Sequence, residues 1–210
     1  MATRAVFLDA LGTLVELEPP WVHLGAALGA EPDERMVAAV RAEMAYYKAH
    51  AHEGTDARAL ADLRGRCAAV LSRELGREVP VETMMGAIRF QAFDDAAPAL
   101  AALRSRGLSL VCVSNWDVSL AEVLERCGLG GAVDTVVSSA AAGARKPDPG
   151  IFEPALDAAR CEPEEALHVG DTPEEDGAAA AAAGIPGLIV DRNGGGDIAS
   201  LSEINEHLRP

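Results

Sequence analysis

The chain has 210 residues, 49% of them hydrophobic, which suits one large domain or one domain carrying an insertion. A formal net charge of −15 with scattered basic residues sets aside nucleic acid and anionic membrane as partners; a small anionic substrate stays open, because a pocket sets its own local field. No run of 18 apolar residues occurs and Asp9 interrupts the apolar stretch near the N-terminus, so the expected location is the cytoplasm.

In chain order, a first strand is expected at about residues 4–8, ending on Asp9 in "AVFLDALGTLVEL". From about 16 to 92 the pattern predicts helices only, near 21–29, 33–50, 56–75 and 81–91, punctuated by Gly54, Gly76 and Pro80. In the second of these, Met36, Val37, Val40, Met44 and Tyr47 recur every three or four residues. From about 95 onward strands alternate with helical segments: "LSLVCVSN", "DTVVSS", "ALHVGD" and "GLIVD" are the strand runs. Such alternation predicts an α/β fold, a doubly wound parallel sheet, split after its first strand by an all-helical insertion. "GAAAAAAG", 177–184, reads as a helix stopped by Gly184. "RNGGGD", 192–197, lacks the P-loop lysine and reads as a loop before a last helix capped by Asp197 or Ser200. The four cysteines contain no Cys-x-x-Cys pair and read as small buried hydrophobes rather than a zinc site or a disulfide set.

In open parallel sheets ligands gather beyond the carboxyl ends of the strands. The residues at those ends are Asp9, then Ser114 with Asn115, then Lys146, then Asp171 with Asp176 five residues later. Together they are a nucleophile, a hydroxyl, a cation and a pair of acids, the parts needed to move a phosphoryl group through a carboxylate. Alone, each has a plainer explanation: a turn-forming aspartate, a strand-end serine, an acid on the dipole of the alanine helix. Lys146 is one of two lysines against sixteen arginines, and a compact ammonium suits a phosphoryl oxygen. His168, inside an apolar strand, reads as a hydrogen-bonded core residue.

The motifs "DALGTL", "VSN", "RKPDPGIF" and "GDTPEEDGAAAAAAG", in this order, resemble the four motifs of the haloacid dehalogenase (HAD) superfamily of hydrolases. The resemblance covers essentially the whole chain. It implies a Rossmann-like core over residues 1–15 and 93–210, with a helical cap of the C1 type over 16–92. It further implies that Asp9 attacks phosphorus to form an aspartyl-phosphate and that Thr13 helps hold the turn. Ser114, Asn115 and Lys146 would bind the transferred group, with Lys146 neutralising it. Mg²⁺ would be held by Asp9, the main-chain carbonyl of Leu11 and Asp171, with Asp176 either in the metal's shell or pairing Lys146. The implied substrate is a small phosphorylated molecule, handled by a monomer or a homodimer.

Phosphatases of this superfamily typically carry a second aspartate two positions after the nucleophile, and here that position is Leu11. A main-chain metal ligand survives this change; the proton donor, worth roughly 10²–10⁴ in rate, does not. Three explanations remain open: a substrate with a good leaving group, an acid or base from the cap, or a different reaction. For the second, "YYKAHAHEG" places Lys48, His50, His52 and Glu53 near a cap helix end, although a solvated helix end is the plainer reading. For the third, dehalogenases of the superfamily also lack that acid, but the intact Asp171 and Asp176 pair speaks for a metal; a phosphonatase with Lys48 as Schiff base is the weaker variant. A non-catalytic member binding a phosphorylated ligand is the contrasting reading. The retained set of Asp9, Ser114, Lys146 and Asp171 favours a Mg²⁺-dependent, phosphatase-type hydrolase.

Overall fold

β1 (Ala5–Leu8) is apolar at every position because both its faces are covered. In the computed structural model, which describes residues 1–210, Val6 and Leu8 face one apolar cluster and Ala5 and Phe7 the other. The chain then runs through β2 (Val15–Leu17), α1 (Pro20–Leu28), α2 (Glu34–His50), α3 (Ala57–Leu75), α4 (Val81–Ala87) and β3 (Phe90–Ala92). After these come α5 (Ala96–Ser105), β4 (Ser109–Ser114), α6 (Leu120–Arg126), β5 (Thr135–Ser138), α7 (Ser139–Ala142) and α8 (Glu153–Ala159). β6 (Ala166–Gly170), α9 (Ala178–Ala183), β7 (Gly187–Ile189) and α10 (Ile204–His207) complete it.

Five strands form one parallel sheet in the order β5-β4-β1-β6-β7, the mixed α/β architecture expected from the alternation. β4 and β6 repeat the division seen in β1: Leu110, Cys112, Leu167 and Val169 join one cluster, Val111, Val113 and Ala166 the other. β1 lies between β4 and β6, where the winding changes direction. The crevice beyond its carboxyl end is where such sheets bind ligands.

The helices between β2 and β3 have a core of their own, built on Leu24, Met36, Leu63, Cys67, Leu71 and Met84. Local sequence explains their ends. The Asp33 side chain accepts from Met36 N at 2.8 Å to start α2, and Asp56 caps the Arg58 and Ala59 amides to start α3. Gly76, at φ 66°, terminates α3 in the left-handed conformation. No helix is long and apolar enough to cross a membrane.

The expectation of helices only over 16–92 needs correction. The helix predicted to run to 91 stops at Ala87, and Phe90–Ala92 pairs antiparallel with Val15–Leu17. The two crossings between the sheet and the helices satisfy one another's backbone groups there, with Glu18 N to Arg89 O at 2.9 Å and Phe93 N to Leu14 O at 3.1 Å beyond the ladder. The alanine helix is preceded by a π-helical turn over Pro173–Gly177. Near the C-terminus Ser200 does cap the last helical turns, while the Asp197 carboxylate instead accepts from Ile189 N. All four cysteines are free, Cys67 and Cys112 buried and the other two half-buried.

Candidate active site

Asp9 stands at the carboxyl end of β1, 6% exposed, its amide bonded to Val169 O at 2.9 Å. The chain turns at once: Ala10 O accepts the amides of Leu14 and Val15, each at 2.8 Å. Gly12 in this turn has φ +86°, and a Cβ there would lie 2.1 Å from Asp171 Oδ2. Only glycine meets both conditions. At the end of β6 a Cβ on Gly170 would lie 2.1 Å from the Asp176 carboxyl carbon, so both acids are fitted against bare backbone.

Lys146 joins them. Its side chain is 1% exposed, and Nζ donates to Asp9 Oδ1 at 2.5 Å, Asp176 Oδ1 at 2.6 Å and Val113 O at 3.0 Å, using all three ammonium protons. Asn115, expected to bind the transferred group, is engaged elsewhere. Its Oδ1 accepts from Lys146 N at 2.8 Å and its Nδ2 donates to Lys146 O at 3.0 Å, which clamps the lysine's main chain. Asp176 also bonds His168 Nε2 at 2.8 Å and accepts from Thr172 N at 3.1 Å. Asp176 pairs with Lys146 and also lies in the carboxylate group that could hold a metal. His168 is the buried, hydrogen-bonded core residue expected, its ring set edge-on to Phe152 at 4.8 Å. The Thr13 carbonyl accepts from Arg192 at 3.0 Å, so this residue ties the turn to the C-terminal segment through its main chain.

One cation among three acids leaves the site short of positive charge. Burial pushes the Asp9 carboxyl up to about 7; Lys146 pulls against this, and the Asp176 and Asp171 charges add to it. Burial acts on Asp176 in the same direction, but the His168 hydrogen bond and the Lys146 charge overcome it and hold that carboxyl well below the usual range. Burial also works against the Lys146 charge, yet Asp9 and Asp176 keep the ammonium above the ordinary lysine value. Asp171 is raised, chiefly by burial. Carboxylate oxygens of Asp9, Asp171 and Asp176 lie within 4.8 Å of one another. No backbone amide uses the Leu11 carbonyl beside them. An all-oxygen donor set with excess negative charge fits a hard divalent cation such as Mg²⁺.

Above the carboxylates, a cavity of about 570 Å³ separates the sheet edge from the helices. Asp9, Leu11, Ser114 and Asp171 line one side, and Leu11 is 38% exposed into it. Of the cluster read at the end of α2, Lys48 alone reaches this cavity, and it pairs with Glu175 at 3.0 Å. His50 folds back onto Tyr46 O at 2.8 Å, Glu53 pairs with Arg66 at 2.6 Å, and His52 is exposed. Those three form a solvated helix end. Sequence reasoning missed Glu43 and Asp117, both buried in the cavity wall. The available signal for Glu43 was its place on the stripe of Met36, Val40 and Tyr47, where a charge faces inward.

Residues 3–184 match the family of haloacid dehalogenase-like hydrolases. "Haloacid dehalogenase-like hydrolase domain-containing protein 3" of Bos taurus is 42% identical over 101 residues, 48% of this chain and 40% of that protein. A phosphoserine phosphatase of Thermus thermophilus is 39% identical over 105 residues, 50% of this chain and 42% of the enzyme. The chain therefore spans less than half the length of either relative. The crystal structure of a HAD phosphatase from Thermococcus onnurineus superposes with a TM-score of 0.69 at 25% identity, over 98% of this chain and 97% of that one. Solved haloacid dehalogenases share the fold at lower identity. With the match running over most of its length and the sheet-end residues gathered as described, the chain belongs to the haloacid dehalogenase-like hydrolases.

Proposed function

We propose that the protein is a Mg²⁺-dependent phosphatase acting on a small phosphorylated molecule through an aspartyl-phosphate on Asp9, without an acid at position 11. The observation that carries this reading is the buried Lys146 ammonium shared between Asp9 and Asp176. An ammonium 2.5 Å from the nucleophile is placed to meet a phosphoryl oxygen arriving at the same carboxylate. The phosphatase relatives support the substrate class. Residues 16–92 are read as a cap of the C1 type over a core of residues 1–15 and 93–210.

Asp9, Asp171 and the Leu11 carbonyl would hold Mg²⁺, which when bound supplies charge neutralisation for the incoming phosphate. An Asp9 oxygen forms a bond to phosphorus, and the phosphorus–oxygen bond to the leaving group breaks with its electron pair on the leaving oxygen. That oxygen takes its proton from water, since Leu11 has none to give. Water then attacks the phosphorus, the bond to Asp9 breaks, inorganic phosphate departs and the carboxylate is restored. Ser114 hydrogen-bonds the transferred group, and Asn115 positions Lys146. Without a protein acid, turnover follows leaving-group quality: acyl and aryl phosphates are good substrates, alkyl phosphates poor ones.

The dehalogenase reading has only the missing acid in its favour, and the acidic trio weighs against it. The test is Mg²⁺-dependent phosphate release from acetyl phosphate, an aryl phosphate and an alkyl phosphate. Rates should fall in that order, and Asp9→Asn should lower them by on the order of 10⁴–10⁶. Silence on all three in the presence of metal sinks the phosphatase reading.

A further inference from the structure

The cavity lining carries two further buried acids that this chemistry does not use. Glu43 on α2 is 5% exposed and Asp117, in the loop after β4, is 3% exposed, and both line the same cavity as Asp9 and Ser114. Neither meets a cation. Asp117 Oδ2 accepts from the Tyr47 hydroxyl at 2.8 Å and its Oδ1 from Ser119 N at 2.7 Å, both neutral donors. The Glu43 carboxylate has the Cys67 thiol as its polar neighbour, and a thiol is a weak donor.

The charged and titratable groups lining the cavity with it include Tyr47 and Lys48 on its own helix, Arg64 and Cys67 on α3, and Asp117, which accepts from Tyr47. Lys48 is committed to Glu175, and the half-buried Arg64 and the exposed Arg126 also line the cavity without an ion pair to Glu43 or Asp117. No oxygen of Glu43 is sealed away from the cavity without a partner, so the carboxylate opens into it, and a cation is the ligand that complements a poorly solvated acid there. Much of the remaining lining is apolar: Leu11, Met44, Met84, Ile88, Phe90 and Trp116. The volume, about 570 Å³, lies well within the range of small-molecule pockets.

Resting on the phosphatase reading of this cavity, we infer that Glu43 determines specificity by taking a protonated primary amine at the far end of an apolar, aryl-type leaving group. A terminal carboxylate would be repelled by Glu43 and Asp117 together. A terminal hydroxyl would leave both charges uncompensated. An ammonium answers both.

The test compares O-phosphotyramine with 4-ethylphenyl phosphate, which share the aryl phosphate and differ at the far end by an ammonium against a methyl group. Calorimetric affinities for Asp9→Asn with Mg²⁺ need no turnover, and kcat/KM of the wild type provides the second readout. The amine should bind about tenfold or more tightly, and the preference should vanish in Glu43→Gln and return in part in Glu43→Asp. Equal affinities, or no binding of either compound, overturn the assignment. Equal release of phosphate from both compounds removes the role of Glu43 and leaves the phosphatase reading standing. Binding of the amine without release of phosphate from either sinks the phosphatase reading and leaves the amine site.

Discussion

Two parts of the cavity lining treat buried acid in opposite ways. At the sheet edge Asp176 has Lys146, His168 and a backbone amide, and Asp9 shares the same lysine. Glu43 and Asp117, elsewhere in the lining, are as deeply buried, yet neither forms an ion pair, and Asp117 is held by the neutral donors Tyr47 and Ser119 N. The sheet edge has a cation of its own, and Lys146 fixes the Asp9 and Asp176 carboxylates before any substrate arrives, while the third acid leaves an excess of negative charge for a metal. The second pair leaves its balance to whatever enters. On the proposed phosphatase reading, a fixed chemical step and a variable leaving group would call for this division: reacting atoms need preorganised charge, and recognition gains from charge that only the correct ligand neutralises.

The comparison breaks most sharply at Lys146. Lys146→Met leaves Asp9 and Asp176 buried without their cation, so it should lower unfolding stability by about 3–5 kcal/mol and abolish turnover. Urea unfolding of the metal-free protein measures the first effect. A loss below 1 kcal/mol would mean that Lys146 is not what holds these two acids in the fold. Leu11, 38% exposed, lines the cavity together with Asp9, the proposed nucleophile. Leu11→Asp should raise alkyl-phosphate kcat by up to roughly 10²-fold, with a much smaller gain on aryl phosphates whose oxyanion leaves unaided. An equal gain on both classes would show that the leucine's role is not the absence of a proton.

Much of the sheet edge was legible before any coordinates. Strands buried on both faces read as unbroken apolar runs, so the polar residue ending each run, Asp9 or Ser114 or Asp171, stands out and falls on one edge. Helix ends were legible for a similar local reason, as Asp33, Asp56 and Gly76 act within a few residues of themselves. What escaped depends on distant partners. Val15–Leu17 and Phe90–Ala92 are three residues each, too short for a period, and they pair across the whole helical insertion. Asn115 reads as a ligand group until the Lys146 main chain is seen to occupy its amide. Glu43 reads as one more acid on a polar helix; α3 and the Asp117 loop, far away in sequence, put it inside.

The smallest effect is the most specific to the uncompensated pair. Burial raises the Glu43 carboxyl above its ordinary value, against a weaker opposing hydrogen bond from Cys67. The folded protein therefore holds this proton more tightly than the unfolded chain does. The contribution to stability is fully present below about pH 4, under the unfolded value near 4.3, and is lost as pH rises through the folded value. Glu43→Gln keeps the shape and removes the titration. Its melting temperature should match the wild type's near pH 4 and exceed it at pH 8, by about 2–4 °C for each kcal/mol of relieved burial. Here deleting a buried charge stabilises, whereas at Lys146 it destabilises, and the opposite signs are what distinguish an acid without a cation from acids that share one. Wild type and variant melting together across the whole range would mean that Glu43 already has a partner, and the amine assignment would lose its physical basis with it.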